Sequence, residues 1–221
     1  MSEYHHPLAS VEVSDRGRRA LDRLKEVFGV EELPEGFVAL AGSENAINDL
    51  YMNLNRQLAE GKVSRSDKLL LAAAVASAAG SAPGVEFFSR AAIAAGRSQA
   101  ELLEAIGVAG TCTLFNGHYR FRDHVSDDDK AAFEAFRAPF NANVFVKPLL
   151  PLTEVEAICI AVSSANGCHK CVQGHVAKAK AVGLNDEQID EIIRAGSAAL
   201  SASNIALALA RVSGLTTGVS A

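Results

Sequence analysis

The stretch TEVEAICIAVSSANG–CHKCVQGHVAKAKAVG, Thr153 to Gly183, lies 87 positions after SDKLLLAAAVASAAG–SAPGVEFFSRAAIAAG, Ser66 to Gly96, and the two align without a gap. Ala74, Val75, Ser77, Ala78 and Gly80 fall on Ala161, Val162, Ser164, Ala165 and Gly167. The register continues, with Gly96 on Gly183, Leu102 on Ile189, Glu104 on Glu191 and Ile106 on Ile193. Ser66-Asp67 and Thr153-Glu154 are matching helix-start signals, and Gly183 reads as a C-terminal cap. A unit repeated at a fixed interval, rich in alanine and poor in strand patterns, predicts an all-α fold made from a tandem duplicated helical unit.

The copies differ where chemistry is possible. Leu69 stands opposite Glu156, Ser81 opposite Cys168, Gly84 opposite Cys171 and Phe88 opposite His175. If both units fold alike, Glu156 and His175 take places where the sister copy holds large apolar side chains, so both are expected to face inward. Buried polar groups require partners. Burial also suits a carboxyl group to accept a proton near neutrality, so Glu156 is expected to exchange protons with His175 and the thiols, directly or through water.

Cys168 and Cys171 are spaced C-x-x-C after Asn166-Gly167, at the start of a predicted helix, and His175 follows one turn later. Separations of three and four residues put all three side chains on one helix face. Such a thiol pair can cycle between dithiol and disulfide, and a helix N-terminus stabilises the attacking thiolate. Spacing does not decide which sulfur attacks first, since Cys168 is nearer the helix N-terminus and Cys171 nearer His175. Zinc is a competing reading of C-x-x-C with a later His, but a structural site wants four ligands and only His169 or a distant group could supply the fourth. Haem attachment needs His after the second cysteine, where Val172 stands.

Glu156, the run Ala161-Val162-Ser163-Ser164-x-Asn166-Gly167, Cys168-x-x-Cys171-x-x-x-His175 and Val182-Gly183 together resemble the signature of alkylhydroperoxidase D, within the carboxymuconolactone decarboxylase superfamily. Phe115-Asn116-x-x-Tyr119-Arg120 and the stretch from Phe140 to Pro148 extend the resemblance, which covers roughly residues 46 to 211. It implies an all-helical fold of two similar halves and an oligomer that is often trimeric. It also implies reduction of alkyl hydroperoxides or hydrogen peroxide by the cysteine pair, with Glu156 and His175 relaying protons. Cys171 is then the peroxidatic thiol, Cys168 its resolving partner, and a sulfenic acid the intermediate on the way to the disulfide. One departure stands out: better-known members place a histidine immediately before the second cysteine, where this chain has Lys170, with His169 one place earlier. A one-residue shift turns a side chain about 100° around the helix, so no specific role passes to His169. His169 and Lys170 are expected to be exposed and to tune the local field.

The disulfide needs a reductant. No G-x-G-x-x-G follows a strand pattern and no phosphate-binding G-x-x-x-x-G-K-[ST] loop occurs, so no cofactor is expected. Electrons are expected by thiol exchange from a dithiol such as a thioredoxin-like protein or, as the resemblance makes reasonable, a lipoyl group. Two other functions compete: a disulfide carrier that serves a separate peroxidase, and lactone decarboxylation by acid/base chemistry, which has no use for adjacent thiols.

The chain has 221 residues, 49% of them hydrophobic, with a formal net charge of −5 and four cysteines. That charge, without a Lys/Arg run, disfavours nucleic acid. One close cysteine pair does not resemble a secreted disulfide framework, no basic start precedes an apolar stretch, and no run reaches about 18 apolar residues. A cytoplasmic protein without a membrane partner is expected. Cys112 and Cys159 read as core, Cys159 bordering the Glu156 face. His118, Tyr119, Arg120, Arg122 and His124 read as a subunit contact or solvated loop, and His5 and His6 as parts of a polar leader.

Residues 1–45 are expected to form an extension with one helix at 15–28 and a turn at Leu33–Gly36. Residues 46–137 form the degenerate first repeat and 138–221 the active-site repeat. Helices are expected at 46–59, 65–79, 84–95, 98–115 and 127–137, then, after an extended connector over 141–151, at 153–165, 168–182 and 186–211. Gly196 is a candidate break in the last helix, and the tail after Ser213 is expected to fray.

Overall fold

The turn that joins the two helices of each repeat has the same backbone path in both copies. Helix α4 (Arg65–Ala78) ends at Ala79 (φ −76°, ψ −5°), passes through Gly80 at φ 69°, and Ser81 (φ −94°, ψ 90°) opens α5 (Ala82–Ala94). Eighty-seven residues later α9 (Leu152–Ala165) ends at Asn166 (φ −83°, ψ −5°), passes through Gly167 at φ 67°, and Cys168 (φ −91°, ψ 91°) opens α10 (His169–Ala181). Positive φ excludes most side chains, so glycine at 80 and 167 fixes the sharp reversal. These angles come from a computed structural model that describes residue 8 and residues 12–136 and 139–213. His5, His6 and the tail after Ser213 lie outside the described residues.

Eleven helices and no strands are present among the described residues. The others are α1 (Asp15–Phe28), α2 (Glu35–Leu40), α3 (Glu44–Gln57), α6 (Gln99–His124), α7 (Asp127–Glu134), α8 (Asn143–Val146) and α11 (Asp186–Ser213). The fold is all-α with a repeated unit. Helices α4 and α9 pack on each other at its centre, and α6 and α11 each pack on both. Their central position explains their composition: Leu69 to Ala76 and Ala157 to Ser163 are buried without interruption, so neither helix keeps a polar face.

The repeats also exchange caps. Glu191 on α11 accepts the backbone N–H groups of Lys62 and Val63 at 3.0 and 3.2 Å and pairs at 2.7 Å with Lys68, whose side chain is only 4% exposed. Glu104 on α6, the equivalent position, accepts the N–H of Leu149 at 3.0 Å, and Leu149 is the equivalent of Lys62. Each repeat thus fixes the approach to the other's first helix. Arg97 adds a centre to this arrangement by bonding to Asp67 and Glu154, the two equivalent helix-start acids, and to Glu101.

The structure differs from the sequence expectations at three points. The Leu33–Gly36 turn leads straight into α2, so residues 12–45 hold two helices. Gly36 serves contact: a Cβ there would lie 2.8 Å from backbone atoms of Ala206 on α11. Gly196 does not break α11. It allows close crossing with α9, where a Cβ would come 2.9 Å from that of Ala161. Third, α6 runs through Asn116-Gly117 to His124, and the connector after residue 140 contains the short α8. Phe28, Phe37, Phe87 and Phe88 pack at 5.0–5.4 Å centroid separation, Phe37 and Phe88 edge-on to Phe87 and Phe28 tilted against it, and join α1 and α2 to the repeat core. By length and hydropathy (1.4), Asp186–Ala210 could cross a membrane; in this fold it packs against α2, α3, α4, α5 and α9.

Candidate active site

Cys168 occupies the cap position of α10 and Cys171 its first turn, with Cα atoms 5.3 Å apart and the two sulfurs joined in a disulfide. The turn through Gly167 returns the Cys168 N–H to the Ser163 carbonyl at 3.0 Å, so α9 holds the base of the pair. Cys168 is fully buried. Cys171 reaches the wall of a cleft of about 350 Å³, together with Phe115, Tyr119, Phe145, Lys170, Gly174, His175 and Lys178. A larger groove of about 450 Å³ between α2 and α5 holds no thiol or imidazole.

Glu156 on α9 and His175 on α10 meet with Oε2 2.7 Å from Nδ1, their side chains 12% and 15% exposed. The opposite positions in the first repeat, Leu69 and Phe88, are buried in the core. Burial by itself pushes the His175 pKa down. Hydrogen bonding with Cys112 and Glu156, and the negative charge they carry, outweigh it and raise the value to about 9. The ring is therefore an imidazolium at neutral pH, one turn along α10 from Cys171.

Behind the imidazole lies a polar network that includes Cys112, a residue expected to be plain apolar core. Cys112 Sγ lies 3.3 Å from Ser163 Oγ, 3.6 Å from the Cys159 carbonyl oxygen and 3.8 Å from Asn116 Oδ1. Asn116 Nδ2 donates to Ser163 Oγ at 3.0 Å, and Asn166 Nδ2 donates to Asn116 Oδ1 at 3.0 Å. Hydrogen bonding from the Cys159 thiol, with help from His175, lowers the Cys112 pKa against the opposing effect of burial. The Cys159 pKa is correspondingly raised, first by that shared hydrogen bond and then by burial. Cys112 and Cys159 are both buried, as expected, but they face each other and the site. Asn116 explains the continuation of α6: its side chain is committed to tertiary hydrogen bonds and does not cap a helix end.

His118, Tyr119, Arg120, Arg122 and His124 lie on the last turns of α6 and not in a loop. Tyr119 joins the cleft wall, where Phe115 contacts Tyr119, Phe140 and Phe145 at 5.5–6.3 Å, and Phe145 lies 6.4 Å from His175. His169 is exposed. Lys170 is exposed too, and pairs with Asp123 at 3.0 Å and Glu134 at 3.9 Å, so its charge is shared with acids beside the cleft.

A family model described as the carboxymuconolactone decarboxylase family matches residues 44–116 and 131–213, one segment for each repeat. A protein of Anaeromyxobacter dehalogenans (strain 2CP-1) named alkyl hydroperoxide reductase AhpD is 32% identical over 165 residues, 73% of this chain and 84% of its own. A protein of the same name from Anaeromyxobacter sp. (strain K) has the same identity and coverage. One from Mycobacteroides abscessus is 32% identical over 102 residues, 46% of this chain and 56% of its own. With both repeats matched, the chain belongs to the carboxymuconolactone decarboxylase family.

Proposed function

We propose that this chain is a thiol-dependent peroxidase that reduces alkyl hydroperoxides or hydrogen peroxide through Cys168 and Cys171. The observation that carries the reading is the opening of Cys171 into an aromatic-walled cleft beside the His175–Glu156 pair, with Cys168 bonded to it from the buried side. The relatives named alkyl hydroperoxide reductase support the same reading. In the reduced chain Cys171 attacks the terminal peroxide oxygen. The O–O bond breaks, the alkoxide takes a proton delivered by way of His175, and Cys171 becomes a sulfenic acid. Cys168 then attacks that sulfur, water leaves, and the disulfide forms. The balance is one hydroperoxide and two thiols giving one alcohol, one water and one disulfide. Glu156 positions the imidazole and holds its positive charge.

A dithiol reductant, a lipoyl group or a thioredoxin-like protein, returns the pair to thiols by exchange at Cys171, the more open sulfur. A reducing compartment such as the cytoplasm suits that cycle. Exposed Leu114, Phe121, Phe136, Val146 and Leu149 on and around α6, α7 and α8 support homo-oligomer formation. The test is consumption of cumene hydroperoxide and hydrogen peroxide by the purified chain with dihydrolipoamide, beside C168S/C171S. Turnover in the parent alone supports the reading. Rapid dithiol exchange without peroxide loss would make the chain a disulfide carrier.

A further inference from the structure

Cys112 on α6, Cys159 on α9 and His175 on α10 bring two sulfurs and an imidazole nitrogen to within 4.8 Å of one another, from three different helices. Neither thiol has a part in the peroxide cycle above. We propose that these three side chains form a binding site for a thiophilic divalent cation of the zinc class, with a fourth position left for water on the cleft side.

The chemistry of the donors fits. Two thiolates and a neutral imidazole balance a double positive charge, and Cys2His with an open fourth position is an established zinc arrangement. Metal–sulfur bonds of about 2.3 Å put the sulfurs of a tetrahedral site about 3.8 Å apart. Closing the cluster therefore takes about 1 Å, shared among three side chains. The second shell is already in place. Glu156 Oε2 holds His175 Nδ1 at 2.7 Å and leaves the other ring nitrogen for the cation, the carboxylate–histidine–metal pattern that orients such ligands. Ser163 and Asn116 fix Cys112 from the other side. Soft sulfur donors exclude magnesium and calcium.

Binding releases the protons held by Cys159 and the imidazole, and it occupies the ring that delivers the proton to the departing alkoxide. The cation is therefore an inhibitor of the Cys168/Cys171 cycle, and the half-buried His175 at the cleft is its way in. This consequence rests on the proposed peroxidase reading. The site itself does not, since its thiols are distinct from the redox pair.

The test uses the full chain with C168S/C171S, in which Cys112 and Cys159 are the remaining thiols of the four. Titration with Co²⁺ in a thiol-free, anaerobic buffer should give one cobalt per chain, a thiolate-to-cobalt charge-transfer band and the visible spectrum of a tetrahedral ion. One equivalent of Zn²⁺ should abolish both. Because no other thiols remain, the band assigns the ligands without further variants. Adding E156Q should weaken zinc binding about 10- to 100-fold through the loss of imidazole orientation. Absence of a thiolate band, or binding only when Cys168 and Cys171 are present, overturns the proposal. Peroxide turnover by the parent in chelator-treated buffer is measured separately, so failure of the metal site and failure of the peroxidase reading give different results.

Discussion

Glu156 and His175 stand where the other repeat has Leu69 and Phe88, and they meet at 2.7 Å inside a helix pair that is otherwise the same apolar unit. A duplicated scaffold thus keeps one copy for packing, while the other holds a charged pair beside the Cys168–Cys171 disulfide. In the first copy Ser81, opposite Cys168, donates to the Ser203 carbonyl at 2.7 Å and caps Gly84, so that position is spent on structure.

Replacing Glu156 by Gln removes the carboxylate that helps hold His175 at about 9. A raised pKa means the imidazolium contributes stability that is fully present below the ordinary value of 6.5 and is lost as pH rises through about 9. In E156Q the ring should titrate at lower pH, and the alkaline limb of the stability profile should move down with it. NMR titration of the His175 ring reads this directly. Peroxide turnover should fall about 100-fold at neutral pH. An unchanged His175 titration would show that Glu156 does not set its charge.

Lys68 and Glu191 form the most enclosed ion pair of the cross-repeat caps. Glu191→Gln should destabilise the chain by about 2–4 kcal/mol, because it leaves a lysine that is almost wholly buried without its counter-charge. Hydrogen bonding by Lys68 holds the Glu191 pKa at about 2. Its contribution is therefore present above the ordinary carboxyl value of 4.5 and is lost as pH falls from there through about 2. Denaturant melts of both proteins from pH 7 to pH 2 should converge at the acid end. A constant difference would contradict this assignment.

Gly196→Val should cost about 1–3 kcal/mol or more, since even a Cβ meets Ala161 at 2.9 Å where α11 crosses α9. Thermal unfolding measures it. A neutral result would mean that the crossing has slack.

The fold was legible because both repeats are written in the same register, and small residues at matched places turn the chain the same way at Gly80 and Gly167. Cys168, Cys171, His175 and Glu156 were legible as departures from that register, and the structure brings them to one place. Cys112, Asn116 and Ser163 were not, because a buried cysteine or serine has the same sequence context whether it faces leucine or imidazole. Only the packing of α6 against α9 puts them behind His175. Gly36 and Gly196 were misread for a related reason: glycine signals a turn locally, whereas close helix contact is decided by a partner far along the chain. The long run of α6 past Gly117 likewise depends on the tertiary hydrogen bonds of Asn116.

Phe145→Ala opens the cleft wall next to His175. KM for cumene hydroperoxide should rise several-fold, with little change for hydrogen peroxide, which has no apolar group to lose about 1–3 kcal/mol of contact. Equal effects on both substrates would place binding of the organic group elsewhere.

The most direct measurement is a single-turnover reaction of the fully reduced chain with less than one equivalent of cumene hydroperoxide, followed by alkylation and peptide mapping. One Cys168–Cys171 disulfide should form for each hydroperoxide consumed, with a sulfenic acid trapped on Cys171 in C168S. Hydroperoxide left intact while both thiols remain open to alkylation would contradict peroxide reduction by this pair.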